Sequence, residues 1–288
     1  MELSKELQDW VGRRRVVEED VSLGQVRRVA AMLDMDPGSF RQGDPLPPHW
    51  FVFFGNEVPR QSDIGPDGHP NPGVVLPPIP LPRRMGAGRR VTIPGTMRIG
   101  EVVERTAEVA AIVPKQARTG FITVLTMRHT YRAAGRVVAE EEFDAVYREA
   151  PKPGEASPVA PPNPAPADAA WRVERHLSPP LVFRYSALTW NAHRIHYDAD
   201  YARGEEGYPA TVQNGGLTMQ LLLDAAVAHT PGRLAGFSAR LTRPIYVGDT
   251  ITLCGRAPDG GQGGGKTATW VQDRDGNLCG QLDCEFAA

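Results

Sequence analysis

The densest group of side chains able to do chemistry lies in Phe183 to Asp198, FRYSALTWNAHRIHYD, where Asn191, His193, Arg194, His196, Tyr197 and Asp198 fall within eight residues. Imidazole titrates near pH 6.5, so the two histidines are candidate proton carriers at neutral pH. A second candidate is Asn214-Gly215-Gly216-Leu217, just ahead of an apolar run. Small residues at a helix start let a ligand oxygen approach backbone N–H groups at the positive end of the helix dipole. Other chemistries are poorly served. Ser186 has no G-x-S-x-G elbow, and Cys254, Cys279 and Cys284 fall in strand-like runs without C-x-x-C spacing. This argues against a serine or cysteine hydrolase, a disulfide framework and a zinc site. The glycine run at Gly260 to Lys266 lacks the strand and G-K-[ST] spacing of a phosphate loop and reads as a hairpin tip.

Several elements must position these residues. NGGLTMQLLLDAAVAHTPG predicts one helix over Gly216 to His229, stopped by Pro231 and Gly232. Being apolar nearly all round, it should be buried. Upstream, Trp171 to His176 and Leu181 to Leu188 read as extended pieces; downstream, four runs between Gly232 and Ala287 read as strands joined by glycine and aspartate turns. The first part of the chain has the same grammar. A helix over Ser22 to Asp34 carries Val26, Val29, Ala30 and Leu33 at helical spacing, and three strands follow from Glu101. Between them, Pro45 to Pro94 reads as a long irregular excursion, with Trp50, Phe51, Phe53 and Phe54 as core and His69 as a loop histidine. Pro151 to Ala170 is proline-rich, almost without branched aliphatics, and reads as a linker. The expected organisation is therefore an N-terminal domain over 1–150, a linker over 151–170 and a C-terminal domain over 171–288. A helix followed by an antiparallel sheet, without alternating βα units, is α+β. One buried helix wrapped by a curved sheet is the hot-dog arrangement, here expected twice in tandem.

Composition narrows the function classes. With 32 basic and 34 acidic side chains among 288 residues there is no global cationic field, so neither nucleic acid nor an anionic membrane is an expected partner. Arg13-Arg14-Arg15 reads as a solvated run. No signal-type h-region or 18-residue apolar stretch occurs, and a cytoplasmic location is expected.

The stretch FRYSALTWNAHRIHYD resembles the MaoC-like hydratases, whose motif runs roughly Y-x-x-[ST]-G-D-x-N-P-[LIV]-H. Tyr185, Thr189, Ile195 and His196 fall in register, and Asn191 keeps the five-residue spacing to His196. Trp190 stands in place of Gly, Asn191 in place of the acid, His193 in place of Asn and Arg194 in place of Pro. The form S-A-L-T-W-N-x-H-R-I-H-Y-D is similar to the subgroup of 3-hydroxyacyl-thioester dehydratases of mitochondrial type and their bacterial relatives, including mesaconyl-CoA and itaconyl-CoA hydratases. LPPIPLPRRMGAGRRV at Leu76 to Val91 and EEEFDAVYR extend the resemblance over nearly the whole chain.

The resemblance implies two hot-dog domains, the first degenerate and the second catalytic. The implied substrate is an acyl-CoA or acyl-carrier thioester, with coenzyme A or phosphopantetheine as its handle and no other cofactor or metal. The reaction is addition or removal of water across the α,β bond. Such chemistry needs a base, a group that positions water and stabilisation of enolate charge. His196 is the expected base, and Asn191 holds water by hydrogen bonds. Asp198 is an acid candidate or, more simply, a helix N-cap. Gly215 and Gly216 bind the thioester oxygen. Tyr185, His193, Arg194 and Asn214 are expected near substrate, and Arg83 and Arg84 near the carrier phosphates. Two alternatives stay open: a hot-dog thioesterase, which needs a carboxylate near the helix start where Asn214 stands, and a non-catalytic acyl-binding module. Monomer and homodimer are both allowed.

Overall fold

The computed structural model describes residues 4–117, 120–150, 156–157, 159–260 and 264–288. Helix α1 (Lys5–Gln8), strand β1 (Arg14–Asp20), helix α2 (Leu23–Met32) and a 3-10 helix at Pro48–Phe53 precede β2 (Arg83–Thr92), β3 (Val102–Ala117), β4 (Gly120–Ala133) and β5 (Arg136–Arg148). The second half runs β6 (Trp171–His176), α3 (Pro179–Leu188), a 3-10 turn at Arg194–His196, α4 (Ala199–Gly204), α5 (Gly215–His229), β7 (Arg233–Leu241), β8 (Thr250–Gly255), β9 (Gly265–Gln272) and β10 (Leu278–Ala287).

The ten described strands form one antiparallel sheet in the order β1-β3-β4-β5-β2-β7-β10-β9-β8-β6. Read outward from the middle, each half has the same order, so the repeat expected from the grammar of the sequence is a repeat of topology. The seam is β2 against β7, with Arg89 opposite Ala239 and Thr92 opposite Gly236.

Helix α5 lies against β7 to β10. Leu217, Leu222 and Ala226 are fully buried, and Met219, Leu221, Leu223 and Ala225 nearly so. Each large side chain withdrawn from water contributes roughly 1.5–3 kcal/mol. This is the buried helix the sequence predicts. In the first half, α2 forms where periodicity puts it, but it matches α3 in chain order. Among the described residues the first half has no long helix at the chain position of α5; the 3-10 helix at Pro48–Phe53 lies between α2 and β2, and its Trp50, Phe51 and Phe53 are buried in the core. Phe53 meets Tyr185 edge-on with ring centroids 5.8 Å apart, and His49 Nε2 lies 2.6 Å from Asp224 Oδ1 on α5, so one core spans both halves.

Three expectations are corrected. Leu181 to Leu188 is helix rather than extended chain: Ser178 Oγ accepts from Leu181 N–H and Pro179–Pro180 occupy the first turn, where a missing N–H costs nothing. Arg83–Thr92 is a strand inside the stretch expected to be irregular; a register shift between Gly86 and Gly88 breaks its alternation. Arg14 and Arg15 lie in β1 and hydrogen bond Glu108 and Glu57. Within the linker, residues 159–170 carry no named helix or strand, only a bridge from Pro164 to Asn277. Residues 151–155 and 158 of it, and 261–263 of the glycine-rich tip, lie outside the described residues. No described helix is long and apolar enough to cross a membrane.

Candidate active site

A cavity of about 350 Å³ opens at the seam, and His69, Arg84, Asn191, His193, His196 and Gly215 are among its lining residues. A more open concavity of about 840 Å³ lies over β5, β2, β7, β10 and β9. Its Arg90 and Arg128 are already paired with Asp144 and Glu142, and it holds no histidine.

His196 ends the 3-10 turn that follows α3. Its Nδ1 lies 2.7 Å from the carbonyl oxygen of Val212, so Nδ1–H donates and the Nε2 lone pair is left for the cavity. Burial lowers its pKa to about 4, against the backbone hydrogen bond, and the ring is neutral at pH 7. Asn191 accepts the backbone N–H of His193 at 3.0 Å through Oδ1. Its Nδ2 has no protein partner among the described residues and is available to a ligand. Trp190, which replaces a motif glycine, holds φ at +53° with its ring exposed.

The α5 N-terminus forms the opposite wall. Gly215, Gly216, Gln213 and Thr218 line it. Asn214, at the N-cap, makes no side-chain capping bond; its amide instead exchanges hydrogen bonds with the buried Ser186 hydroxyl at 3.2–3.3 Å. The first N–H groups of α5 therefore carry no side-chain cap.

Two histidines are joined here that spacing could not connect. His69 packs against His193 with ring centroids 3.9 Å apart and the rings tilted by 35°, and His193 meets His196 edge-on at 5.6 Å. The Asp67 carboxylate accepts both the backbone N–H of His69 at 2.9 Å and its Nδ1–H at 2.8 Å. Burial raises the Asp67 pKa, but the His69 hydrogen bonds outweigh it and hold the group at about 2. Burial lowers His69 against the opposing Asp67, and drives His193 down to about 2. The expected loop histidine thus lines the cavity; the only hint in the sequence is the Asp-x-His pair in a turn. Asp67, His69 and His193 are also the one described group whose ligand atoms lie mutually within 4.8 Å, a set chemically able to hold a divalent metal.

Several candidates from the sequence stand outside the cavity. Tyr185 is buried beneath α5, its pKa raised to about 12 by burial; a methyl on Gly216 would sit 2.2 Å from its Oη. Asn214 lies behind the wall. Arg83 is buried, with Nη2 2.5 Å from Glu206 and its guanidinium over the Tyr208 ring, so it is no phosphate ligand. Arg194 pairs with Asp198 at 2.7 Å and stacks on Tyr201. Asp198 is the N-cap of α4, accepting from Tyr201 N–H at 3.0 Å, and does not reach the cavity as an acid. Arg84 does line the cavity, hydrogen bonds Tyr147 and has no carboxylate partner among the described residues.

Comparison with known proteins agrees with this architecture. A family model for hydroxyacyl-thioester dehydratase type 2 matches residues 48–247. The chain is 40% identical over 272 residues, 87% of this chain and 93% of the relative, to a mesaconyl-C(4)-CoA hydratase of Chloroflexus aurantiacus. It is 36% identical over 80 residues, 27% of each chain, to a mitochondrial hydroxyacyl-thioester dehydratase type 2 of Schizosaccharomyces pombe. In fold it is similar to a MaoC-like dehydratase of Phytophthora capsici, with TM-score 0.71, 14% identity and 98% of each chain covered. It is likewise similar to a double hot-dog protein of Mycobacterium tuberculosis, with TM-score 0.59, 14% identity and 98% of each chain covered.

Proposed function

This chain belongs to the hydroxyacyl-thioester dehydratase type 2 family, and from that premise we propose that it is a hydro-lyase adding or removing water across the α,β bond of an acyl-CoA thioester. The observation that carries the reading is the neutral His196 ring, its Nδ1–H bound to Val212 and its Nε2 directed to a cavity that also holds the Asn191 amide and the uncapped start of α5.

In the hydration direction, the Asn191 Nδ2–H donates to the water oxygen and His196 Nε2 takes one water proton as the oxygen bonds to the β carbon. The π electrons of the alkene shift onto the thioester oxygen, where the N–H groups of Gly215 and Gly216 stabilise the enolate; the enolate then collapses, its electron pair forming the C–H bond at the α carbon with the proton carried by His196 Nε2, which returns the ring to its neutral form. Such N–H donors are worth about 10²–10³-fold in rate when aimed at developing charge. Arg84 supplies a cation without a carboxylate of its own. It suits an acyl group bearing a second carboxylate, the class to which a mesaconyl thioester belongs, and the Chloroflexus aurantiacus relative is named for one. The handle of the acyl group is coenzyme A in this reading, and the steps above use only side chains and backbone N–H groups of the chain.

The test follows loss of enoyl-thioester absorbance with mesaconyl-CoA and crotonyl-CoA for the wild type and His196→Ala. Turnover in the wild type, reduced about 10²–10⁴-fold in the variant at unchanged melting temperature, is the expected result. Equal rates would remove His196 from the chemistry. Preference for crotonyl-CoA would remove the second carboxylate from the substrate class.

A further inference from the structure

We propose that Arg243, on the linker side of the seam cavity, binds a phosphate of the coenzyme A handle, so that the thioester lies across the seam with its acyl end toward Arg84 and its handle toward the linker. The inference rests on the coenzyme A thioester named above as substrate. It starts from an imbalance of charge. Three arginines, Arg84, Arg89 and Arg243, line the cavity, and no described carboxylate does. Arg89 is neutralised by Glu141, whose Oε1 lies 2.9 Å from its Nη1. Arg84 and Arg243 are half-buried and pair with no carboxylate among the described residues. Withdrawing a cation from water without a counter-charge is costly, and an anionic ligand offsets that cost. A dicarboxyl thioester of coenzyme A is anionic at both ends, with a carboxylate on the acyl group and phosphates on the handle.

The chain fixes Arg243 from two directions. Its backbone N–H and that of Thr242 both donate to the Cys279 carbonyl, at 3.2 and 2.9 Å, and the Thr242 hydroxyl donates to the Leu278 carbonyl at 3.2 Å. The linker is tied to the same strand, since Leu278 N–H donates to the Asn163 carbonyl at 2.8 Å. From there the linker passes Val159 and Ala160 along the cavity wall, and Arg243 Nη1 donates to the Ala160 carbonyl. That bond uses one of the five N–H donors of the guanidinium and leaves enough for a bidentate contact with phosphate. Arg83, where the sequence places this role, is sealed against Glu206.

The direction follows from what lies next to each cation. Leu241 packs on the start of α5, its Cδ1 2.7 Å from where a Cβ on Gly215 would stand, so the end of β7 adjoins the place given to the thioester oxygen. Arg243 follows Leu241 by two residues, about 7 Å of extended chain. The arm from the thioester sulfur to the first phosphate has about a dozen bonds and extends on the order of 15 Å, long enough to run from Gly215 to the Arg243 guanidinium. Arg84 stands on the first-half side, close enough to His69 to act on its charge. The acyl carboxylate and the handle therefore leave the reacting carbons in opposite directions.

The experiment compares mesaconyl-CoA with the mesaconyl thioester of N-acetylcysteamine, which keeps the acyl group and the sulfur end of the arm but carries no phosphate. Kinetics are measured for the wild type, Arg243→Gln and Arg84→Gln, with melting temperatures alongside and calorimetric binding of coenzyme A itself, which needs no turnover. Arg243→Gln should raise KM for mesaconyl-CoA about tenfold or more and weaken coenzyme A binding by a similar factor, while kcat/KM for the truncated thioester stays within about threefold of wild type. Arg84→Gln should leave coenzyme A binding within about threefold. If Arg243→Gln does not fold, Arg243→Lys, which keeps the charge and loses the planar fork, is put through the same comparison. Equal losses on both thioesters, unchanged coenzyme A binding in the folded Arg243 variant, or a loss of coenzyme A binding in Arg84→Gln alone overturns the inference. A wild type that binds coenzyme A through Arg243 yet turns over neither thioester overturns the hydro-lyase reading and leaves this assignment standing.

Discussion

Replacing Gly68 by alanine tests whether the loop from the first half must sit where it does. The added Cβ would stand 1.8 Å from the carbonyl oxygen and 2.7 Å from the carbonyl carbon of Ala192, backbone atoms that cannot swing away. Going from 1.8 Å to the 3.0 Å floor of real Cβ contacts means a retreat of about 1.2 Å by the loop tip. The φ of +88° adds about 1–2 kcal/mol of strain for a residue with a side chain. His69 is the next residue and moves with the tip. Moving a wall of the catalytic cavity by about 1 Å costs on the order of 10²-fold in rate, and His69 lines that wall, so Gly68→Ala should lose about that much kcat for mesaconyl-CoA. The melting temperature should fall by only about 2–8 °C, since about 1 kcal/mol corresponds to about 2–4 °C in a chain approaching this length. Steady-state kinetics and a thermal melt on one preparation suffice. A lowered melting temperature with unchanged kcat would refute the claim that the His69 position matters. If neither changes, the docking itself is refuted.

Further expectations concern groups the site does not use as the sequence suggested. Arg83→Met strands Glu206 in a largely buried place and should cost on the order of 3 kcal/mol in chemical denaturation; a stable variant with a raised KM for the CoA thioester would return Arg83 to substrate binding. Asp198→Ala removes the α4 cap and should cost about 1 kcal/mol with kcat intact; a hundredfold loss of kcat would make it an acid after all. Stability should also fall as the medium is acidified below pH 6.5. His193 is neutral in the fold, with its pKa pressed down to about 2, but takes a proton near 6.5 when unfolded, so the unfolded chain binds more protons throughout that window. One such group contributes up to about 1.4 kcal/mol per pH unit, and His193→Gln should flatten the slope of melting temperature against pH between 6.5 and 4.5; an equal slope would assign the acid sensitivity elsewhere.

The parts of this molecule that could be read from its sequence are those whose signal is local. Helix α5 is apolar on every side and bracketed by Gly215 and Pro231, and strands β3, β4 and β5 are long, β-branched and separated by turns, so both follow from pattern alone. Strand β2 was hidden because Gly86, Ala87 and Gly88 interrupt its alternation, and its pairing with β7 is a contact between halves. Helix α3 reads as extended chain because its apolar residues resemble a strand, although Ser178-Pro179-Pro180 is a helix-start signal. His196, Asn191 and the glycines of α5 reach the cavity from one contiguous region, and the family resemblance points at them. His69 reaches it from more than 120 residues away, through a fit between Gly68 and Ala192 that no periodicity encodes. The misassigned charges share one cause. Arg83, Arg194 and Asp198 meet their partners within the protein, and a sequence shows a charge without showing whether it is already neutralised.

The strand order has a consequence for how this protein survives at high concentration. Joining the halves through β2 and β7 turns what would be four exposed sheet margins into two, β1 and β6. Unpaired margins are templates on which other chains add strands, and short length and charge are the usual protection. Both remaining margins have these features: β1 is seven residues, RRVVEED, with arginines at one end and acids at the other, and β6 is six residues, WRVERH. A copy approaching either in extended form would have to desolvate several charges to gain a handful of main-chain hydrogen bonds. The fusion that assembles the cavity at the seam therefore also removes the two margins nearest it from the surface on which aggregation could start.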